Sequence, residues 1–296
     1  MYKSPKMQQI LLKVLLLTLT IGYLHTTYAQ PYLDNGQGIY TASPGKNGQP
    51  SQFNHQRILA NLPVISKKDS SFFLLNPIWE RRLITENDSS GSFMVRGLIT
   101  WLSYTRNFGK KWSVQLSAIP RFMGTVSLQY SQGFQMGGAF LVSHKPRPGL
   151  KYQLGMYYNK ELFGNFFLPL LGIDWKINAR SNLFGVLPGY LVYENRISKK
   201  LSWGGNFRTF TSTYRIAGHD NNYGDDYLRV QDNQLGIYTD IYLMPKLVLN
   251  AEAGHTVMRR IATGLSENPG RNHEHILSDK DNFYFRLTLQ YRLRFR

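Results

Sequence analysis

The sequence predicts an all-β protein: a single transmembrane antiparallel up-and-down β-barrel of about 12 strands. Three observations support this prediction. The C-terminal segment alternates strictly between apolar and polar residues, the N-terminal segment has the form of a secretion signal, and long segments with a period of two fill much of the chain between them. Together they indicate a chain that is exported and then crosses a membrane through strands.

The clearest predicted strand is 282–296, with the sequence NFYFRLTLQYRLRFR. From Phe283 onward every second residue is apolar or aromatic, whereas the residues between them are polar or carry a polar tip. A helix would place residues i and i+4 on one face, so this period of two fits a strand. Lipid outside and a hydrated lumen inside would satisfy the two faces.

Residues 1–29 have the features of a cleaved signal peptide. Lysines precede an apolar stretch over 10–24, and small residues up to Ala29 fit a cleavage site before Gln30. A transmembrane anchor is the alternative, but the stretch contains Lys13 and is short for the roughly 20 residues that a spanning helix needs. The chain has no cysteine, which excludes a lipoprotein anchor, disulfides, thiolate metal sites and a cysteine nucleophile.

The chain is basic. Its formal net charge of +17 falls to +14 when the three lysines of the predicted signal are removed (17 − 3). Nucleic acid is a common partner of basic proteins, but export to the cell surface excludes it here. We expect exposed Lys and Arg to meet the lipid of the outer membrane and the phosphates of lipopolysaccharide instead.

Residues 30–51 are rich in Gly, Pro, Asn and Gln without a clear period, so we expect a flexible N-terminal arm. The barrel is expected over 52–296. Twelve is an even number, as required when both termini lie in the periplasm, although about ten or about fourteen strands stay open. A soluble β-sandwich is the alternative, but its strands are shorter and recur about every 8–12 residues. The predicted strands are 52–66, 71–84, 92–107, 112–123, 133–144, 150–160, 166–177, 183–195, 201–215, 227–243, 247–259 and 282–296.

Two connections, 218–226 and 262–281, are long and polar. Counting back from a periplasmic C-terminus places both on the extracellular side and places the short turns 197–200 and 244–246 in the periplasm. Long loops outside and short turns inside are usual for bacterial barrels. Aromatic residues near strand ends are predicted to form girdles at the membrane interfaces; these are Trp101, Tyr104, Trp112 and Trp203.

Several segments carry a family resemblance. Phe163–Ile177 (FGNFFLPLLGIDWKI), Leu187-Pro-Gly189, Thr213–Ile216 and Leu228–Tyr238 resemble an uncharacterised family of outer-membrane β-barrel proteins, which is defined as a domain of unknown function. The resemblance covers most of the mature chain and is best from Leu150 onward. It implies a single barrel in the outer membrane of Gram-negative bacteria, and it carries over no catalytic or binding residues.

Phe295 is the predicted assembly signal. Bacterial outer-membrane proteins commonly end in an aromatic-terminated last strand, which the barrel assembly machinery reads. Here Phe295 is penultimate and Arg296 follows it, which is a small departure from that pattern.

If the apolar faces meet lipid, the polar residues between them face the lumen. Mixed charges there can pair across the wall and fill the lumen, whereas an excess of arginine would favour anions. Two functions stay open: a small passive porin-like or transport-related channel with a small anionic solute as permeant, and a closed-lumen barrel with a structural or surface-interaction role through its extracellular loops. The residues predicted to face the lumen are Asp174, Lys176, Asn206, Arg208, Asp240, Glu252, Arg286, Arg292 and Arg294.

A barrel hydrolase is the weakest hypothesis, because such an enzyme needs a nucleophile or activated water beside a base. No serine lies in a nucleophile-elbow motif, and we predict no catalytic residues. His273 and His275, with Asp279 and Asp281 nearby, suggest a metal site, but a solvated loop explains them more simply. We therefore expect no metal and no cofactor.

Overall fold

The structure is a computed structural model that describes residues 32–44, 52–65, 71–85, 92–125, 130–216, 224–267 and 273–294. The predicted signal peptide and Phe295 lie outside these ranges. One short 3₁₀ helix, Tyr130–Gly133, precedes β7. The strands are β1 (Tyr32–Ser43), β2 (Gln52–Ala60), β3 (Leu62–Ile65), β4 (Ser71–Thr85), β5 (Ser92–Phe108), β6 (Trp112–Thr125), β7 (Phe134–Arg147), β8 (Leu150–Glu161), β9 (Gly164–Lys176), β10 (Ser181–Leu187), β11 (Tyr190–Arg196), β12 (Leu201–Arg215), β13 (Tyr227–Tyr242), β14 (Leu247–Gly264), β15 (His275–Ser278) and β16 (Phe283–Arg294).

The strands form one closed antiparallel barrel. Each wall strand pairs with the next wall strand along the chain, and β16 closes the ring by pairing with β1. Two short strands lie outside this ring: β3 pairs with β4, and β15 pairs with β14. The prediction of an all-β up-and-down barrel is therefore confirmed, but the wall has 14 strands rather than about 12.

The first additional strand lies in the segment expected to be a flexible arm. Tyr32–Ser43 is β1, which pairs with β16 on one side and with β2 on the other. The expectation of an arm over 30–51 is wrong for these residues. A β-bulge between Asp34 and Gly36 shifts the register, so the period of two changes phase within the strand and is not visible in the sequence.

The second additional strand comes from the segment predicted as one strand over 183–195. It is a hairpin of two short strands, β10 and β11, joined at Pro188-Gly189. Gly185 has a φ of 154°, and a Cβ at this position would collide with the backbone carbonyl of Tyr190. Glycine is thus required where the two strands approach each other, because only glycine adopts this conformation freely.

The wall is apolar outside and polar inside. In β16 the exposed fractions of Phe285 and Leu287 are 59% and 53%, whereas Tyr284 and Arg286 are 0% and 7% exposed. This is the alternation that the sequence predicts for the closing strand. Among the described residues, no helix has the length and hydropathy needed to cross a membrane.

The two ends of the barrel differ in charge. We call one end the turn rim; its described connections are 109–111, 148–149, 177–180, 197–200 and 243–246, and none of these contains an acidic residue. The opposite end, the loop rim, has paired charges: Glu274 contacts Arg229 and Arg260 at 3.1 Å and 3.0 Å, and Asp226 pairs with Arg215. The exposed cations near the turn rim are Lys110, Lys111, Arg147, Lys176, Arg180, Lys199, Lys200 and Lys246.

Candidate functional site

The lumen near the turn rim is crossed by an ion-pair network centred on Arg292. Its Nε lies 2.7 Å from Asp34 of β1 and its Nη1 lies 2.6 Å from Asp240 of β13. The guanidinium also stacks over the ring of Tyr32, 3.6 Å from the ring centroid. Next to it, Arg294 pairs with Glu194 of β11. These contacts join the first, last and intermediate strands across the interior.

A second network is centred on Glu252 in the middle of the lumen. Its carboxylate accepts hydrogen bonds from Arg208 Nη1 at 2.7 Å, from Tyr284 Oη at 2.7 Å and from Asn206 Nδ2 at 3.0 Å, and it pairs with Arg286 at 3.3 Å. One carboxylate thus contacts two guanidiniums, so this network carries an excess positive charge. The Glu252 side chain is completely buried, whereas the Arg208 side chain is 31% exposed.

A third group of charges lies nearer the loop rim. Glu80 contacts His55 at 3.2 Å, Arg82 at 3.4 Å and the hydroxyl of Tyr214. The neighbouring Arg57 has no ion pair among the described residues, and its Nε is buried without a hydrogen-bond partner. Arg57 interacts electrostatically with both Glu80 and Arg208. The middle of the lumen therefore holds more arginines than carboxylates.

An apolar cluster fills the lumen toward the loop rim. It forms because the upper part of β12 crosses the barrel, where Arg215 pairs with Gly124 of β6 in parallel. Gln135 donates a hydrogen bond to the Thr213 carbonyl at 2.9 Å, which fixes the crossing. The members of the cluster are Phe53, Ile78, Ile84, Phe93, Val95, Ile99, Ile119, Met123, Tyr214, Ile216, Leu228, Val230 and Ile261.

Most of the predicted lumen residues are buried inside the barrel, with exposed fractions between 0% and 7%. These are Asp174, Asn206, Asp240, Glu252, Arg286 and Arg292. Arg208 and Arg294 are partly exposed, and Lys176 is exposed at the end of β9. The structure does not bring all of them together: Asp174 pairs with Lys151 on another part of the wall.

Sequence reasoning missed Asp34, Glu80 and Glu194, which are the acidic partners of several lumen arginines. Asp34 lay in the supposed arm, and Glu194 lay in the segment later found to be a hairpin. Trp101 was predicted to lie in an interface girdle, and this is wrong. Trp101 packs against the apolar cluster and stacks on Tyr157 with the ring centroids 6.2 Å apart.

The wall has a lateral opening beside the short hairpin β10–β11. Strand β9 pairs with β10 only over Leu171–Lys176, and β12 pairs with β11 only over Ser202–Arg208. Residues 164–170 of β9 and 209–214 of β12 therefore have no strand partner on these sides in the described structure. Above the hairpin tip, two strands are missing between β9 and β12. The gap between β9 and β12 at the tip is therefore about three interstrand spacings, or roughly 14 Å.

The opening narrows toward the loop rim. There the backbone nitrogen of Leu162 donates a hydrogen bond to Thr213 Oγ1 at 3.0 Å, and the Phe163 ring lies 4.1 Å from the Arg229 guanidinium carbon. The β8–β9 turn thus closes the top, and the hairpin tip at Pro188-Gly189 forms the bottom. The result is a window framed by β9 and β12.

Side chains behind this window are partly exposed although they face the interior. They include Leu168 and Leu170 of β9, Tyr157 of β8, Val186 of β10 and Phe210 of β12. The inward side chains of β16 opposite them, from Tyr284 to Arg292, are all buried. The partly exposed interior side chains next to the window are therefore mainly apolar, with Arg208 at their polar end.

These features define a class: a closed β-barrel with an apolar outer face and a charged, filled interior. Within this class the chain belongs to the DUF6268 family, described as a domain of unknown function, whose model matches residues 95–295. This confirms the family resemblance seen in the sequence. No curated protein matches the chain.

The chain is also similar to solved barrel structures. A NanC porin structure shares 10% identity, with 87% of this chain and 100% of that chain covered and a TM-score of 0.41. LpxR from Salmonella typhimurium shares 7% identity over 86% and 99% of the chains, with a TM-score of 0.38. The TodX monoaromatic hydrocarbon channel, as a deltaS2 mutant, shares 10% identity over 89% and 91%, with a TM-score of 0.35. Similarities at this level assign no function.

Proposed function

We propose that this chain is an outer-membrane β-barrel of Gram-negative bacteria whose lumen is closed along its axis by its own side chains. The outer face supports the membrane location, because large apolar side chains such as Leu154, Leu171 and Ile237 are 62%, 60% and 70% exposed. Such a surface is stable in hydrocarbon, and the ring of paired strands satisfies the backbone of the wall except beside the short hairpin β10–β11. The predicted signal peptide agrees with export.

Axial closure is the observation that carries this proposal. The Arg292 and Glu252 networks bridge the lumen, and the apolar cluster fills it toward the loop rim. Ions crossing along the axis would have to displace buried ion pairs and then pass through packed apolar side chains, both of which are costly. We therefore favour the closed-lumen hypothesis over an open porin-like channel.

The rims suggest how the barrel is oriented and what it contacts. With the short turns in the periplasm, as is usual for bacterial barrels, the exposed cations of the turn rim lie beside the headgroups of the inner leaflet. The exposed cations of the turn rim would then bind anionic phospholipid, and lipopolysaccharide would meet the loop rim, where Arg215, Arg229 and Arg260 pair with acidic side chains. Phe295, outside the described residues, remains the proposed contact with the barrel assembly machinery.

The proposed function is not enzymatic. His55 and Glu80 form the most enzyme-like pair, but they are 5% and 2% exposed beneath the apolar cluster. A substrate cannot reach a base in that position without unfolding the lumen. Among the described residues, no cluster of His, Asp and Glu could hold a metal ion.

Planar-bilayer recording of the refolded barrel tests the closure. We expect no ionic current at any applied voltage, because ion-pair networks and an apolar cluster lie across the axis of the lumen. A steady current would contradict closure and restore the channel hypothesis. In that case the double variant Arg292→Ala and Arg294→Ala should reduce anion selectivity, since it removes two positive charges from the path.

A further inference from the structure

The lateral window faces the membrane rather than either aqueous end. On its β9 side the outward side chains Phe167 and Leu171 are 59% and 60% exposed, so the apolar outer face continues alongside it. Backbone groups without partners are tolerated at membrane depth only where they line a cavity or are buried in protein. The edge of β12 is satisfied by Gly189 and by side chains from β7 and β8, whereas residues 164–170 of β9 have no strand partner on that side in the described structure. The edge of β9 therefore indicates a cavity that opens toward lipid.

The apolar lining of this cavity favours binding of a hydrocarbon chain. Leu168, Leu170, Val186 and Phe210 offer apolar surface, and the stacked pair Trp101 and Tyr157 lies behind them. The window is several strand spacings wide at the hairpin and closes above it, so an extended hydrocarbon chain can enter it from the side. Because membrane lipid is as apolar as these side chains, the chain gains little from leaving the lipid, and the site depends on packing and on the charge at its inner end.

The inner end of the cavity favours a ligand with a negatively charged group. Arg208 uses only Nη1 to bind Glu252, and its Nε and Nη2 have no partner among the described residues. Glu252 is shared with Arg286, so it does not neutralise both arginines. Arg57 interacts electrostatically with Glu80 and more weakly with Arg208, and it has no ion pair among the described residues. A carboxylate between Arg57 and Arg208 would accept charge-assisted hydrogen bonds and balance the excess charge.

We propose that the window admits a long-chain fatty acid from the surrounding membrane, with its hydrocarbon chain against Leu168 and Leu170 and its carboxylate at Arg208 and Arg57. This assignment rests on the proposed membrane location. It is compatible with axial closure, because the ligand enters through the wall. It also gives a role to Pro188-Gly189, since the short hairpin that ends there creates the window.

Saturable photolabelling tests the site. The full-length refolded protein in detergent is irradiated with a diazirine-bearing stearate, and the labelled peptides are identified by mass spectrometry. Label on β8, β9 and β12 should be displaced by excess oleate. Label on the lipid-facing surface should not saturate. Acetate, which has the headgroup alone, should not compete.

Neighbouring residues of β9 supply a matched pair of variants. Leu170→Trp fills the cavity from inside and should reduce the displaceable label at least tenfold. Leu171→Trp places the same side chain in the lipid and should leave this label unchanged. Equal labelling of the two variants, both of which must migrate as folded barrels without boiling, would overturn the site.

The headgroup is tested with Arg208→Gln and Arg57→Gln. Each should weaken competition by oleate about tenfold while leaving competition by oleyl alcohol unchanged. If the variants weakened competition by oleate and by oleyl alcohol equally, the carboxylate would not bind at Arg208 and Arg57. Bilayer recording of the same preparation separates the two ideas: an ionic current counts against axial closure alone, whereas absence of displaceable label counts against the fatty-acid site alone.

Discussion

Deletion of residues 32–43 is expected to abolish folding of the barrel. This segment is β1, and its loss would leave β2 and β16 with unpaired edges facing each other across a gap in the wall. Unpaired backbone groups in hydrocarbon cost several kcal/mol each, so the whole ring depends on this strand. Folding is measured by insertion into lipid vesicles and by the mobility of unboiled protein in gels.

A matched control separates loss of the strand from loss of a side chain. Tyr40→Ala changes a residue of β1 that is 45% exposed and should leave folding intact. If the deleted protein still inserted and migrated as a folded barrel, β1 would be a dispensable arm, as the composition of 30–51 first suggested.

Glu252→Ala is expected to lower the free energy of unfolding by about 3–5 kcal/mol, because it leaves Arg208 and Arg286 without their shared carboxylate. Tyr284 and Asn206 would lose an acceptor at the same time. Urea unfolding of the protein refolded in lipid vesicles measures the change.

Two further substitutions separate the loss of the Glu252 charge from the loss of its hydrogen bonds and provide an exposed control. Glu252→Gln keeps hydrogen-bond acceptance but removes the charge, so its effect should be smaller than that of Glu252→Ala. Glu267→Gln removes an exposed acid and should have little effect. A loss below about 1 kcal/mol for Glu252→Ala would show that lumen ion pairs do not stabilise the wall.

The sequence predicts the barrel well wherever one side of a strand meets lipid and the other meets polar side chains. In β16 this contrast is complete, so its alternation alone identifies the strand and its inward residues. In β1 the contrast fails: the outward-facing residues include Gly36 and Gly38, and the bulge reverses the phase.

The interior is harder to predict because it is not uniformly polar. Phe93, Val95 and Ile99 of β5 face inward, while Met94 and Leu98 on the same strand face outward, so both faces are apolar. Their burial depends on the crossing of β12 to β6, a long-range contact that leaves no local pattern. The same holds for the window, which depends on the length of β10 and β11 relative to their neighbours.

The charge difference between the rims also bears on how the barrel enters the membrane. The rim that crosses the bilayer during insertion must pass its charged groups through hydrocarbon, and unpaired cations are costly there. At the loop rim Arg229 and Arg260 share Glu274, and Arg215 has Asp226, so two of these three positive charges are offset when they cross. The lysines of the turn rim that have no ion pair among the described residues, such as Lys199 and Lys200, would stay on the side of entry and make insertion one-directional.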